Sequence, residues 1–129
     1  EERPGDAEGG RASGRRRHLD HACALARCDG DELMLREVAA AFVSDLHTSL
    51  AQLEEAMSTG QAARFGELCH TLKGNLLFFG ATGLGATAKQ YEGWGRREGR
   101  LPEREMLDDF LRALRALEGE LRAEFGLAD

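Results

Sequence analysis

The chain has 129 residues, 42% of them hydrophobic and 31% charged, with a formal net charge of −6, which leaves room for one soluble domain with a modest core. The negative balance argues against sequence-independent nucleic-acid binding, which needs a basic surface, and no apolar run approaches the roughly 20 residues of a membrane span. The cysteines Cys23, Cys28 and Cys69 are odd in number and lack a CxxC spacing, so free thiols in a reducing cytoplasm are expected rather than a disulfide framework.

Residues Glu1 to Arg17 are rich in Gly, Arg and Glu and bring almost nothing to bury. They read as a disordered linker or a cloning remnant, with Arg15-Arg16-Arg17 as a solvated linker end rather than a basic docking patch. No signal peptide is visible. The first residue is Glu1 rather than Met, which suits a piece of a longer polypeptide.

From Leu19 the pattern turns helical, and residues 18–129 are expected to form the folded domain. A short first helix is predicted over about Asp20 to Arg27, with Ala22, Cys23 and Ala26 inward and Asp29-Gly30 ending it. A second, about Asp31 to Met57, carries Leu35, Val38, Phe42, Leu46, Leu50, Leu53 and Met57 at separations of three and four, an apolar stripe over several turns. Ser58-Thr59-Gly60 breaks it. The third, about Gln61 to Phe79, has its stripe at Phe65, Leu68, Leu72, Leu76 and Phe79, with Gly80 placed as a left-handed C-terminal cap.

The fourth helix, about Thr82 to Arg97, has Leu84, Ala88, Tyr91 and Trp94 on its apolar side. Gly83, Gly85, Gly93 and Gly95 each weaken it by roughly 1 kcal/mol relative to Ala, so it is expected to be the least stable of the long helices. Pro102 at a first-turn position opens a fifth, with Met106, Phe110, Leu114, Leu117, Leu121 and Phe125 inward. No strand-period segment appears. The expected fold is all-α: an antiparallel up-and-down four-helix bundle with an additional short N-terminal helix as a lid or cap.

Cys69-His70-Thr71-Leu72-Lys73-Gly74-Asn75 is where chemistry concentrates. At about 100° per residue, Leu72 lies some 200° around the helix from His70, so the histidine faces away from the apolar stripe. Gly66 and Glu67 lie one turn before it, Lys73 and Gly74 one turn after, Leu77 two turns after. Neutral imidazole is a nucleophile, and an exposed histidine is ordinarily mostly neutral at cytoplasmic pH. A phosphoryl group on a ring nitrogen brings up to two negative charges, which Lys73 can partly compensate while positioning phosphoryl oxygens.

Gly66 and Gly74 leave bare backbone on either side of the imidazole, where a partner's loops can approach. Leu77 offers an apolar docking surface, and Asn75 a hydrogen bond near the site. Singly, each has a bland reading: a solvated histidine, an ordinary lysine, glycines for helix packing. Together, on the outer face of a central bundle helix, they point to reversible phosphorylation of histidine. Cys69 reads as a core or boundary residue, His47 as solvated, and His18 and His21 as caps or exposed groups. Glu67 and His70 form one i, i+3 pair, which is not a metal site, and no metal is expected.

His70-Thr71-Leu72-Lys73-Gly74-Asn75 through Gly80-Ala81 resembles the signature of histidine-containing phosphotransfer (HPt) domains of bacterial two-component phosphorelays, over about Leu19 to the C-terminus. The resemblance implies a four-helix bundle that displays a phosphorylated histidine, over which receiver domains dock. By it, His70 is the phosphoacceptor, Lys73 the charge partner and Gly74 the small residue that clears access. Asn75 stands where the family often has Ser or Ala. Glu92 on the facing helix falls near a place where some members carry Gln, and help from that helix is not counted on.

The expected function is therefore a histidine phosphocarrier that takes a phosphoryl group from one receiver-domain aspartate and passes it to another. The chain has no nucleotide-binding Gly-rich loop, so no autonomous kinase activity is expected, and no cofactor beyond Mg²⁺ on the partner receiver. Response-regulator receiver domains are the expected partners, with no nucleic acid and no membrane contact, for a cytoplasmic monomer. A hybrid sensor histidine kinase, with this chain as its C-terminal domain, fits the linker-like start. Two alternatives stand beside this reading: a docking-only helical module without phosphotransfer, and the phosphoacceptor domain of a chemotaxis-type kinase.

Overall fold

The structure, a computed structural model, describes residues 17–128; apart from Arg17, the segment read as a linker lies outside them. Five helices and no strand form among the described residues: α1 (His21–Arg27), α2 (Glu32–Ser58), α3 (Ala62–Phe78), α4 (Thr82–Arg97) and α5 (Arg104–Phe125). Aspartates start the first two. Asp20 accepts a hydrogen bond from the Cys23 amide and Asp31 one from the Met34 amide, both at 3.0 Å, satisfying donors that a helix start leaves open. Gly80 takes φ +73° after α3, and Ala81 N–H donates to the Leu76 carbonyl at 2.9 Å, the left-handed ending expected of it.

In the bundle, α2 packs on α3 and α5, and α4 packs on α3 and α5, while α1 lies against α2 and α3. That is the cyclic order of an up-and-down four-helix bundle with a short N-terminal helix across it. The stripes meet in one core holding Leu35, Leu46, Leu53, Phe65, Leu72, Leu76, Phe79, Leu107, Leu114, Leu117 and Leu121, all buried.

Two expectations are corrected. In α1 the buried residue is Ala24, joined by Leu19 before the helix and Cys28 after it. Ala22 and Ala26 are exposed and Cys23 is half-buried, because so short a helix turns only one narrow face to α2 and α3. Pro102 does not open α5 from within. It is buried in the preceding connection, and α5 starts after Glu103, whose ψ of 156° is extended.

Two of the α4 glycines, Gly85 and Gly95, have a packing role. A Cβ on Gly95 would lie 2.4 Å from the Ala62 carbonyl oxygen and 3.0 Å from Gly66 Cα, and one on Gly85 would lie 2.6 Å from Leu77 Cδ2. Bare backbone lets α3 and α4 come closer than any other pair of helices, at the expense of helix propensity in α4. This closeness sets the site.

Candidate functional site

His70 stands on the outer face of α3, its side chain 53% exposed. Glu92 reaches it from α4: Oε2 lies 2.9 Å from His70 Nδ1. The same carboxylate accepts from Lys73 Nζ on Oε1 at 2.8 Å and from Arg96 Nη1 on Oε2 at 2.8 Å. Glu92 is thus the centre of the cluster, with only 12% of its side chain exposed. The Lys73 ammonium above all, helped by His70 and Arg96 and opposed by burial, holds its carboxyl down to about 2.

That ionisation fixes the imidazole. A carboxylate without a proton only accepts hydrogen bonds, so Nδ1 must carry the hydrogen. In a neutral ring the lone pair then falls on Nε2. No side chain among the described residues bonds Nε2. In that form the nitrogen furthest from the backbone carries the free lone pair, on a side chain 53% exposed.

Help from α4 was not counted on, and the structure brings Glu92 of that helix onto the imidazole. Glu92 and Arg96, missing from the candidate residues, are part of the cluster. Lys73 was expected to point outward, but its side chain is only 25% exposed because Glu92 draws it in.

A family model described as an Hpt domain matches residues 37–124. The chain belongs to the Hpt domain family. The match spans all of α3 and α4 and most of α2 and α5. Comparison with curated proteins and with solved structures finds no match. Hpt domains are histidine phosphotransfer modules of two-component signalling and generally interact with receiver domains of response regulators.

The remaining candidates in this Hpt domain divide by position. Gly74 is exposed, and a Cβ there would meet nothing within 4 Å, so the surface beside the imidazole is open. Asn75 is exposed on the next position. Leu77 is 40% exposed while its Cδ2 covers Gly85. Glu67 is exposed and pairs with Arg96 Nε at 3.3 Å.

Gly66 does not flank the imidazole with open backbone. It is buried against α4, where a Cβ would lie 2.9 Å from Arg96 Cγ and 3.0 Å from the Glu92 carbonyl oxygen. Cys69 is buried, and burial pushes its thiol up to about 12, so it stays protonated and inert. Among the described residues no three His, Cys, Asp or Glu side chains gather as metal ligands, and no helix is long and apolar enough to cross a membrane.

Proposed function

We propose that this Hpt domain carries its phosphoryl group on His70 Nε2, accepting it from the aspartyl phosphate of one receiver domain and passing it to the aspartate of another. One observation carries the reading: Glu92 occupies Nδ1 and leaves Nε2 free at an open surface. In the forward step the Nε2 lone pair attacks phosphorus. The bond from phosphorus to the aspartyl oxygen breaks, and the carboxylate leaves with the electron pair.

No proton has to move. Nδ1 keeps its hydrogen, and the ring gains a positive charge as the Nε2–P bond forms. The ionised Glu92 balances that charge from 2.9 Å away, held in place before the reaction starts. Lys73, one turn along, meets the charge of the phosphoryl oxygens. The reverse step runs through the same groups, as a carrier requires. Mg²⁺ in this reading belongs to the receiver, where it screens phosphoryl oxygens.

Gly74 gives the receiver's loops room, with Asn75 and Leu77 at the rim of the docking face. The chain acts as a carrier and not as a kinase, in the cytoplasm and as a monomer that exposes one face. It serves as the C-terminal domain of a hybrid sensor histidine kinase or as a separate carrier.

Transfer from a panel of phosphorylated receiver domains tests the reading. Acid-labile label is expected on the native chain and absent from His70→Gln. A folded native chain that takes no label from any receiver would instead support a docking-only module. Label that arrives only from an ATP-bound kinase domain would support a chemotaxis-type phosphoacceptor.

A further inference from the structure

We propose that Arg96 is a positioning residue that keeps Glu92 on His70 Nδ1 while Lys73 turns from Glu92 to the phosphoryl group. The inference rests on His70 being the phosphoacceptor. Glu92 offers two oxygens to three donors: Oε1 takes Lys73, and Oε2 is shared by His70 and Arg96. A phosphoryl group on Nε2 brings up to two negative charges beside Lys73, its neighbour one helical turn on. The lysine ammonium is a compact charge on a flexible stem and is drawn to those oxygens. Glu92 then loses the donor on Oε1 just as the like charge of the phosphoryl oxygens arrives nearby and opposes its attraction to the charged ring. Arg96 is the remaining cation bonded to it among the described residues.

Arg96 is built to stay. Its Nε pairs with Glu67 Oε2 at 3.3 Å while Nη1 holds Glu92 Oε2 at 2.8 Å, so one guanidinium joins a carboxylate on α3 to one on α4. Its stem lies against Gly66, where a Cβ would sit 2.9 Å from Arg96 Cγ and 3.0 Å from its backbone nitrogen. Leaving for the phosphoryl group would break both pairs. The planar fork suits a fixed bridge, the lysine a moving charge. Glu67, Lys73, Glu92 and Arg96 are the charged groups around the ring from the two helices that form the site.

The test reads the His70 tautomer from its ring ¹⁵N shifts in the native chain, Lys73→Met, Arg96→Met and the double variant. Lys73→Met stands for a lysine that has turned away. The Nδ1–H form is expected to dominate in the native chain and both single variants. In the double variant it should fall by about half or more, once neither cation fixes Glu92. Arg96→Lys in the Lys73→Met background should restore most of it, and amide spectra of the same samples report the fold. Phosphoryl transfer by Arg96→Met should slow about tenfold, the scale of one charge-assisted hydrogen bond, at unchanged receiver affinity. A double variant with the Lys73→Met tautomer, or native transfer rates in Arg96→Met, would overturn the proposal. If the native chain takes no phosphoryl group, the phosphocarrier reading fails, and the tautomer series still decides whether Arg96 holds Glu92.

Discussion

Two His–Glu–Arg groups sit on opposite seams of this bundle, and they are near copies in composition. On the α3–α4 seam, His70, Glu92 and Arg96 meet. On the α2–α5 seam, His47 Nε2 lies 2.8 Å from Glu118 Oε2, which also accepts from Arg122 Nε at 2.8 Å. The imidazoles are 53% and 62% exposed, the carboxylates 12% and 13%. Exposure and a neighbouring carboxylate therefore do not tell the two histidines apart. The tied nitrogen does. Glu118 takes Nε2, the outer nitrogen of His47, whereas Glu92 takes Nδ1 and leaves the outer nitrogen of His70 open. Only the α3–α4 group adds a lysine on the same carboxylate.

The sharpest way to break this comparison is to exchange the histidines' fates. His70→Gln should reduce labelling by a phosphorylated receiver to background, and His47→Gln should leave it near native. Loss of label in a folded His47→Gln chain would mean that the wrong seam has been chosen.

A second contrast lies in the glycines. Gly95→Ala forces a methyl into the α3 backbone and should cost about 1–3 kcal/mol, the range for overpacking. Gly74→Ala meets open space and should stabilise by about 0.5–1 kcal/mol through helix propensity. Urea unfolding separates the signs; a destabilised Gly74→Ala would assign that glycine to packing.

Lys73→Ala should slow transfer about tenfold, again the scale of one charge-assisted contact, with the bundle still folded. Unchanged transfer would remove the role given to the lysine.

The smallest expected effect is on the acid limb of stability. The Glu92 carboxyl is held at about 2 against an ordinary 4.5. Its stabilisation is therefore present above about pH 4.5 and is lost as pH falls through about 2. Glu118 is also lowered, with burial opposing and His47 and Arg122 prevailing. Urea midpoints measured from pH 5 down to 2 should flatten more in Glu92→Gln than in Glu118→Gln. Equal flattening would make the two seams electrostatically alike.

The bundle was legible because stripes such as Leu35, Leu46 and Leu53, or Phe65, Leu72 and Leu76, have a helical period and end at turn residues. His70, Lys73 and Gly74 were legible for the same reason, since neighbours on one helix follow from spacing alone. Glu92 and Arg96 were not. Their meeting with His70 depends on how far α4 slides and how close it comes, and that register is set by Gly95 resting on Ala62 and Gly66. Gly85 and Gly95 read only as a weakness because propensity concerns one helix at a time. Gly66 was misplaced by the same omission: an open-looking position on α3 is covered once α4 is laid on it. Ala22 and Ala26 failed because α1 is too short for periodicity to locate its inward face.

The entry of the chain into the domain has a consequence for reach. The His18 and Leu19 amides both donate to Glu120 Oε1 at 2.8 Å, the Asp20 amide donates to the Phe79 carbonyl at 2.9 Å, and His21 lodges between Glu124 and Glu32. Residues 18–21 are thereby stitched to the end of α3 and the last turns of α5. Along α3, Phe78 lies about 12 Å from His70 at 1.5 Å per residue. Anything joined ahead of Arg17 is therefore leashed at that pole of the bundle, so a receiver tethered there would meet His70 at a concentration set by the linker's reach, while an untethered one meets it only at its own concentration in solution.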